Sequence, residues 1–372
     1  MRPLRLVLVA AATAAAVLAV PAVADPGKGR GHAYGHEKRK APKDTAVCTG
    51  DPSAYQVLRY PSGGGMAEAA YVLPAGRPRG IVVFDHGYSH TMYSWVRHLQ
   101  RTARTLGVIA VAPDYRGQAN AFKAGALPSS RGWRVSAGAV DTNTVVQLFD
   151  RACLKGKGHN VLYSVSMGGN TAGLALALKP KRVNGKPLYD EWVDVEGAAN
   201  VLETYQGARA LAPVNEFAAH AKADIEAETG GTPEQVPDAY AQRTVVNRVP
   251  DIVASGVKGV VMVHGVMDGL VTHDISRQLQ ALLLAEGVPV DFTAFVTRSA
   301  KGEPGTTIDG YAPTGQTSPF AGHASETSET HDVGMHGFAK LAELYRGKAV
   351  GCADVTKDGQ SGLSTGGVYP CP

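Results

Sequence analysis

The run Asn160-Val161-Leu162-Tyr163-Ser164-Val165-Ser166-Met167-Gly168-Gly169-Asn170 decides how the chain is read. Asn160 to Tyr163 has strand character, Ser166 stands at the apex of a turn, and a helical pattern resumes from Gly168 to Leu178. A turn this sharp brings strand and helix backbones nearly into contact, so the positions two before and two after the apex must be small. Gly168 and Ser164 meet that need. The helix that follows aims its positive dipole end and its unpaired N–H groups at the apex. The Met167 N–H can then face negative charge developing on a group attacked by Ser166.

Outward from this run, short apolar stretches alternate with helical spacing. Tyr55–Tyr60 and Ala69–Leu73 read as strands joined by Ser62-Gly63-Gly64-Gly65, and Gly80–Phe84, Val108–Ala112, Trp192–Val195, Gly259–His264 and Val290–Val296 read as further strands. Helical spacing covers Trp95–Leu106, Val140–Leu154, Ile275–Glu286 and Val333–Tyr345. Strand and helix alternating in this way predict an α/β fold, a mostly parallel sheet with helices on both faces. Residues 197–250 interrupt the alternation with helical pieces near Val214–Thr229 and Thr232–Arg243, and are expected to form a helical lid over one sheet edge. Thr232-Pro233-Glu234-Gln235 reads as the capping box that opens the second piece. The segment 298–330 reads as a long loop, a place where function often resides.

The turn at Ser166 resembles the nucleophile elbow, G-x-S-x-G, of the α/β-hydrolase family, with Ser164 standing where the first glycine is usual. Phe84-Asp85-His86-Gly87-Tyr88 resembles the family's turn after the equivalent of the Gly80–Phe84 strand. The resemblance implies that Tyr88 and Met167 donate the two backbone N–H groups of an oxyanion hole, and that His86 is structural rather than a proton carrier. Asp114 and Arg116, in Ala112-Pro113-Asp114-Tyr115-Arg116-Gly117, read as supports of a neighbouring turn. Val263-His264-Gly265-Val266-Met267-Asp268-Gly269-Leu270-Val271 resembles the family's H-G-x-x-D-x-x-V, which implies that Asp268 is the acid of a triad, with Glu196 the rival just past the preceding strand. The base must follow the Val290–Val296 strand. Ala321-Gly322-His323 resembles the family's Gly-His, His331 is the alternative, and His336 falls inside a helical pattern. The order Ser166, Asp268, His323 is the family's chain order. Thr244–Gly287 also resembles the catalytic domain of prolyl-oligopeptidase-type hydrolases, although nothing here resembles their propeller. The likeness spans about residues 55–347 and calls for no metal and no organic cofactor.

Among 372 residues, 37 Lys and Arg against 33 Asp and Glu leave a formal charge of +4, and 44% of residues are hydrophobic. Such a composition is globular rather than disordered. The excess sits at the start. Arg2 and Arg5 precede an apolar run from Leu6 to Val20 and an Ala22-Val23-Ala24 site, so residues 1–24 are expected to be a secretory signal peptide. Residues 25–48 read as a basic arm, where Lys28, Arg30, Lys38, Arg39, Lys40 and Lys43 face three acidic residues. The remainder is near neutral and offers no concentrated basic face for nucleic acid. No later segment is long and apolar enough to span a bilayer. His32 and His36 make at most a weak metal site, and the four cysteines lack zinc spacing. An even count in an exported chain predicts disulfides. Cys48–Cys153 and Cys352–Cys371 are the favoured pairs, each contributing ~2–4 kcal/mol on a chain-entropy account. The hydrolase domain is expected over 49–350, with 351–372 a stapled C-terminal tail.

These readings converge on a secreted serine hydrolase that cleaves carboxylic esters, whether small-molecule or lipid, through an acyl-enzyme. Leu202, Tyr205, Leu211 and Phe217 suit an acyl pocket. A secreted peptidase or aminopeptidase on the same fold is the alternative, and a non-catalytic binding protein is the third possibility. Glu203, Asp224, Glu226 and Glu228 read as a solvated helix face, although an aminopeptidase would use such acids to hold an amine. The acyl and alcohol groups and the oligomeric state are left open.

Overall fold

Five apolar runs become the middle of a sheet. β3 (Gly80–Asp85), β4 (Ile109–Asp114), β8 (Glu191–Val195) and β9 (Gly259–Gly265) are buried at every position, and β7 (His159–Val165) at every position but its first. Unbroken burial is what a parallel strand covered on both faces requires. The computed structural model describes residues 48–121, 129–296, 322–324, 326–359 and 361–371. The expected signal peptide, the arm before Cys48 and most of the 298–330 loop lie outside them.

β1 (Gln56–Ser62) and β2 (Gly65–Val72) form the antiparallel edge, and β10 (Val290–Val296) continues the parallel set. A short hairpin, β5 (Ala119–Ala121) with β6 (Ser129–Arg131), stands apart from the sheet. The segment read as a C-terminal tail instead supplies β11 (Cys352–Asp358) and β12 (Ser364–Tyr369), with β11 parallel to β10 and β12 antiparallel to β11. Among the described residues the sheet therefore has ten strands, ordered β1-β2-β4-β3-β7-β8-β9-β10-β11-β12. Sequence patterning missed the last pair because β12 is exposed along almost its whole length and shows no apolar alternation. Both favoured disulfides are present: Cys352–Cys371 ties β11 to the residues beyond β12, and Cys48–Cys153 ties the start of the described chain to the turn after the second helix.

Alternation along the strands divides the core. Val82, Phe84, Val161, Tyr163, Val193 and Val195 face one side, with Leu99, Ala103, Leu341 and Leu344. Those last four come from α1 (Val96–Leu106) and α9 (Asp332–Tyr345). Val83, Leu162, Trp192, Val260 and Met262 face the other side. That side is covered by α2 (Val135–Phe149), α3 (Met167–Ala177), α7 (Val249–Ser255) and α8 (His273–Ala285).

Between β8 and α7 run α4 (Val201–Leu211), α5 (Glu216–Thr229) and α6 (Pro237–Arg243). The sequence pattern overlooked α4, yet its signal is present: Asn200 caps the helix by accepting the Glu203 N–H, and Asn215 caps α5 in the same way through Ala218. The expected helix from Thr232 begins only at Pro237. Half of the anticipated box forms, with the Thr232 N–H donating to Gln235 Oε1 at 3.0 Å. Val236 precedes a proline, which disfavours helical backbone there, and its φ of −135° breaks the run. Among the described residues no helix is long and apolar enough to cross a membrane.

Candidate active site

The chain leaves β3 for β4 on one side and reaches β7 on the other, so the carboxyl ends of β3 and β7 flank a topological switch point, where open α/β sheets bind ligands. Ser166 sits there, between β7 and α3, with φ 58° and ψ −126°. A non-glycine residue in this region is strained. Its backbone is held by Ser166 N–H to Val195 O at 3.1 Å, and by Gly169 and Ala198 N–H groups donating to Ser166 O at 2.8 and 2.9 Å. A Cβ on Gly168 would overlap the Asp85 carbonyl oxygen, and one on Gly169 would overlap the backbone of Gly197. The glycine expected at 168 is thus explained by contact with the end of β3, while Gly169, which the pattern did not require, packs on the backbone just past β8.

Ser164, the departure from the elbow pattern, has its own work. Its buried hydroxyl accepts the Trp192 indole N–H at 2.8 Å and donates to Asp194 Oδ1 at 2.9 Å. Burial pushes the Asp194 carboxyl up to about 6, against the pull of that hydrogen bond. Ser164→Gly is therefore expected to destabilise the fold by about 1–3 kcal/mol, because an indole N–H and a buried carboxylate lose their partner. Urea denaturation would measure this, and an unchanged midpoint would contradict it.

The structure brings Asp268 and His323 together. His323 Nδ1 lies 2.6 Å from Asp268 Oδ2, and both side chains are buried. Asp268 Oδ1 accepts the Leu270 and Val271 N–H groups at 2.8 and 3.0 Å, and His264 Nε2 approaches Oδ2 at 3.3 Å. Burial would raise the Asp268 carboxyl, but His323 and His264 hold it well below the usual carboxylate range. Burial would lower the His323 imidazole, but Asp268 outweighs it and raises it.

Glu196, the rival acid, is also in the site, as a second carboxylate. It leaves β8 with φ 54°, accepts Gly265 N–H at 3.0 Å and Ala324 N–H at 2.5 Å, and lies 3.6 Å from His323 Nδ1. Burial, then the Asp268 charge, pushes it up to about 7. Glu196, Asp268 and His323 bring three potential ligand atoms within 4.8 Å of one another, but these atoms are already engaged by N–H donors and by each other. The alternative base, His331, is the N-cap of α9 and both its ring nitrogens lack a hydrogen-bond partner. Burial, then His323, lowers it to about 4. His336 lies within α9, as its helical pattern required.

Met167 is the first residue of α3, so its N–H has no partner within the helix. Tyr88 follows Gly87, and Gly87 lies against Ser166, whose Cβ would be 3.1 Å from a Cβ built there. His86 is fully buried, stacks on Tyr115 with ring centroids 4.0 Å apart, and has Nε2 3.5 Å from Asp114 Oδ1. The Arg116 guanidinium donates to Asp141 Oδ1 on α2 at 2.5 Å and to Gly63 O in the β1–β2 turn at 2.9 Å.

Ser166 and His323 line one cavity of about 120 Å³, walled chiefly by Trp133, Leu211, Phe217, Leu270, Val271 and Ile275. Of the four residues expected to form an acyl pocket, Leu211 and Phe217 line it; Leu202 is turned outward and Tyr205 is buried with its hydroxyl on Glu226. The acidic residues read as a solvated face prove to be tethers. Asp224 accepts from the Tyr88 hydroxyl and the Gly132 N–H, Glu226 pairs with Lys222 at 2.7 Å, and Glu228 pairs with Arg243 at 3.1 Å and accepts the Ser136 N–H. Glu203 reaches the cavity wall, where it accepts the Thr272 hydroxyl.

No protein-family model matches the chain, and no curated protein matches it by sequence. Solved structures do. An esterase of Pyrobaculum calidifontis matches with TM-score 0.53 at 16% identity, covering 80% of this chain and 86% of its own. An acylaminoacyl peptidase of Pyrococcus horikoshii matches with TM-score 0.53 at 14% identity, covering 80% of this chain and 42% of its own. A puromycin-hydrolyzing peptidase of Mycobacterium tuberculosis matches with TM-score 0.50 at 15% identity, covering 79% and 40%. The chain thus spans less than half the length of the two peptidases.

Proposed function

We propose that this protein of α/β-hydrolase fold is an exported serine hydrolase that cleaves carboxylic esters, with Ser166 as nucleophile, His323 as base and Asp268 as its partner. The observation that carries the reading is the 2.6 Å contact of His323 Nδ1 with Asp268, in an imidazole that lines the same cavity as the strained Ser166. In this reading His323 Nε2 takes the Ser166 proton, Ser166 Oγ attacks the carbonyl carbon, and the Tyr88 and Met167 N–H groups receive the negative oxygen. The alcohol leaves with the proton from His323, and water repeats the sequence on the acyl-enzyme. The apolar wall favours an uncharged acyl group, and α4 to α6 would serve as the lid, with α4 and α5 carrying part of that wall. Export is supported by the signal-like residues 1–24 and by two disulfides, which persist in oxidising compartments.

One observation favours a second reading, hydrolysis of aminoacyl amides: Glu203 stands on the cavity wall, where an α-amine could meet it. Its existing bond to Thr272 and the tethering of the other lid acids weigh towards the ester. The test is to label the protein with a fluorophosphonate, map the adduct, and compare acyl nitrophenyl esters with aminoacyl nitroanilides. An adduct on Ser166 with faster ester turnover is expected. Fast anilide turnover with negligible ester turnover would replace the ester by the amide, and an absent adduct would sink both.

A further inference from the structure

Gly87 joins two peptide planes, and both are held by side chains. The first plane carries the Gly87 N–H, which donates to Glu326 Oε1. The second carries the Gly87 carbonyl and the Tyr88 N–H. Its oxygen accepts His86 Nδ1–H at 2.9 Å and the His90 N–H at 3.3 Å. A carbonyl oxygen can only accept, so the His86 proton must lie on Nδ1 in this contact. Because a peptide unit is planar, holding that oxygen constrains the Tyr88 N–H, but the plane can still pivot about the line from the oxygen to the Gly87 Cα.

Glycine is the softest joint in a chain, and here the space is tight: a Cβ on Gly87 would lie 2.7 Å from Glu326 Oε1, displacing that contact, and 3.1 Å from Ser166 Cβ. Held on one side only, the joint would let the Tyr88 N–H swing. Glu326 supplies the other side. Its side chain is 1% exposed, and its second oxygen lies 3.2 Å from His90 Nδ1. It also stands three residues after His323, so the loop that carries the proposed base grips the loop that carries the proposed oxyanion donor.

Resting on the serine-hydrolase reading, we propose that Glu326 is a positioning residue that aims the Tyr88 N–H by accepting the Gly87 N–H. Its negative charge works against an oxyanion nearby, so its contribution lies in its geometry as an acceptor. Glu326→Gln keeps an acceptor and removes the charge; Glu326→Asp keeps the charge and withdraws the acceptor; Glu326→Ala removes both.

The experiment is steady-state hydrolysis of a short-chain nitrophenyl ester by the full chain, with inhibition by an alkyl boronic acid that forms a tetrahedral anion on Ser166, and the thermal midpoint of each variant. Glu326→Ala is expected to lower kcat about 10- to 100-fold with KM within about threefold, as the misdirection of one oxyanion donor would. Boronate affinity should fall by the same factor as kcat/KM, and Glu326→Gln should stay within about threefold of the wild type or exceed it. If the alanine variant does not fold, Glu326→Asp reads the same way, with a loss of about tenfold in kcat at unaltered KM. Unchanged kcat in the alanine or aspartate variant, or a glutamine variant as slow as alanine, would overturn the proposal. Absent wild-type turnover would instead mark failure of the serine-hydrolase reading, and the proposal would fall with it.

Discussion

Ser166→Ala is expected to lower kcat for an activated ester by about five to six orders of magnitude, to the rate left by binding and the oxyanion donors alone. Only Oγ is removed. Alanine keeps a Cβ, so the φ of 58° stays as strained as before and the thermal midpoint should hardly move. Ser166→Gly separates chemistry from strain. It should be equally inactive but about 1 kcal/mol more stable, because glycine adopts that backbone freely and the gain is offset only by its larger unfolded entropy. Residual turnover, fluorophosphonate labelling and melting of the three proteins check both halves. Activity surviving in the alanine variant would remove Ser166 from the reaction. A glycine variant no more stable than alanine would mean that the elbow stores no strain.

Much of this arrangement is legible from residues alone because it is local. The elbow needs small residues within four positions, and Asp268 follows its strand by a fixed short spacing, so a single window carries each. The strands β3, β7, β8 and β9 are readable for a similar reason: burial on both faces leaves an uninterrupted apolar run. What escapes is what depends on contacts across the fold. Glu326 looks like any surface glutamate until the loop after His323 is laid against Gly87, 239 residues earlier. The acids of α5 have the spacing of a solvated face, but Asp224 is drawn to Tyr88, 136 residues away, by burial that no periodicity reports. β12 is invisible for the opposite reason, since an exposed edge strand has no apolar pattern to betray it. Glu196 falls between these cases: the sequence places it beside the site as a rival acid, and only the fold shows it sharing the site with Asp268.

That sharing predicts that deleting Asp268 is less harmful than making it an amide. In Asp268→Asn the Leu270 and Val271 N–H groups keep the amide oxygen at the Oδ1 position, which turns the NH2 group towards His323 Nδ1. A donor there drives the imidazole proton onto Nε2, the nitrogen proposed to accept from Ser166, and kcat should fall about 10⁴-fold. Asp268→Ala imposes no wrong tautomer. The His323 Nδ1–H is left facing Glu196 Oε2, 3.6 Å away, on a carboxylate already anchored by one backbone N–H at each oxygen, so the loss should be about 10²- to 10³-fold. Adding Glu196→Gln to the alanine variant should then restore the deeper loss.

The pH dependence has a definite sign. The coupled pair titrates as a unit. Because Asp268 raises the imidazole, the acidic limb of wild-type kcat/KM should lie above the ordinary histidine value of about 6.5 and rise with pH. Removing the Asp268 charge should carry that limb to lower pH, with Glu196 retaining part of the displacement until it too is replaced. Equal losses in the alanine and asparagine variants, or a limb that does not move, would leave Glu196 with no hold on His323 beyond packing. The outcome matters for the site as a whole, because a second carboxylate this deeply buried is costly to keep unless it orients something, and within its reach are the Gly265 and Ala324 N–H groups and the imidazole.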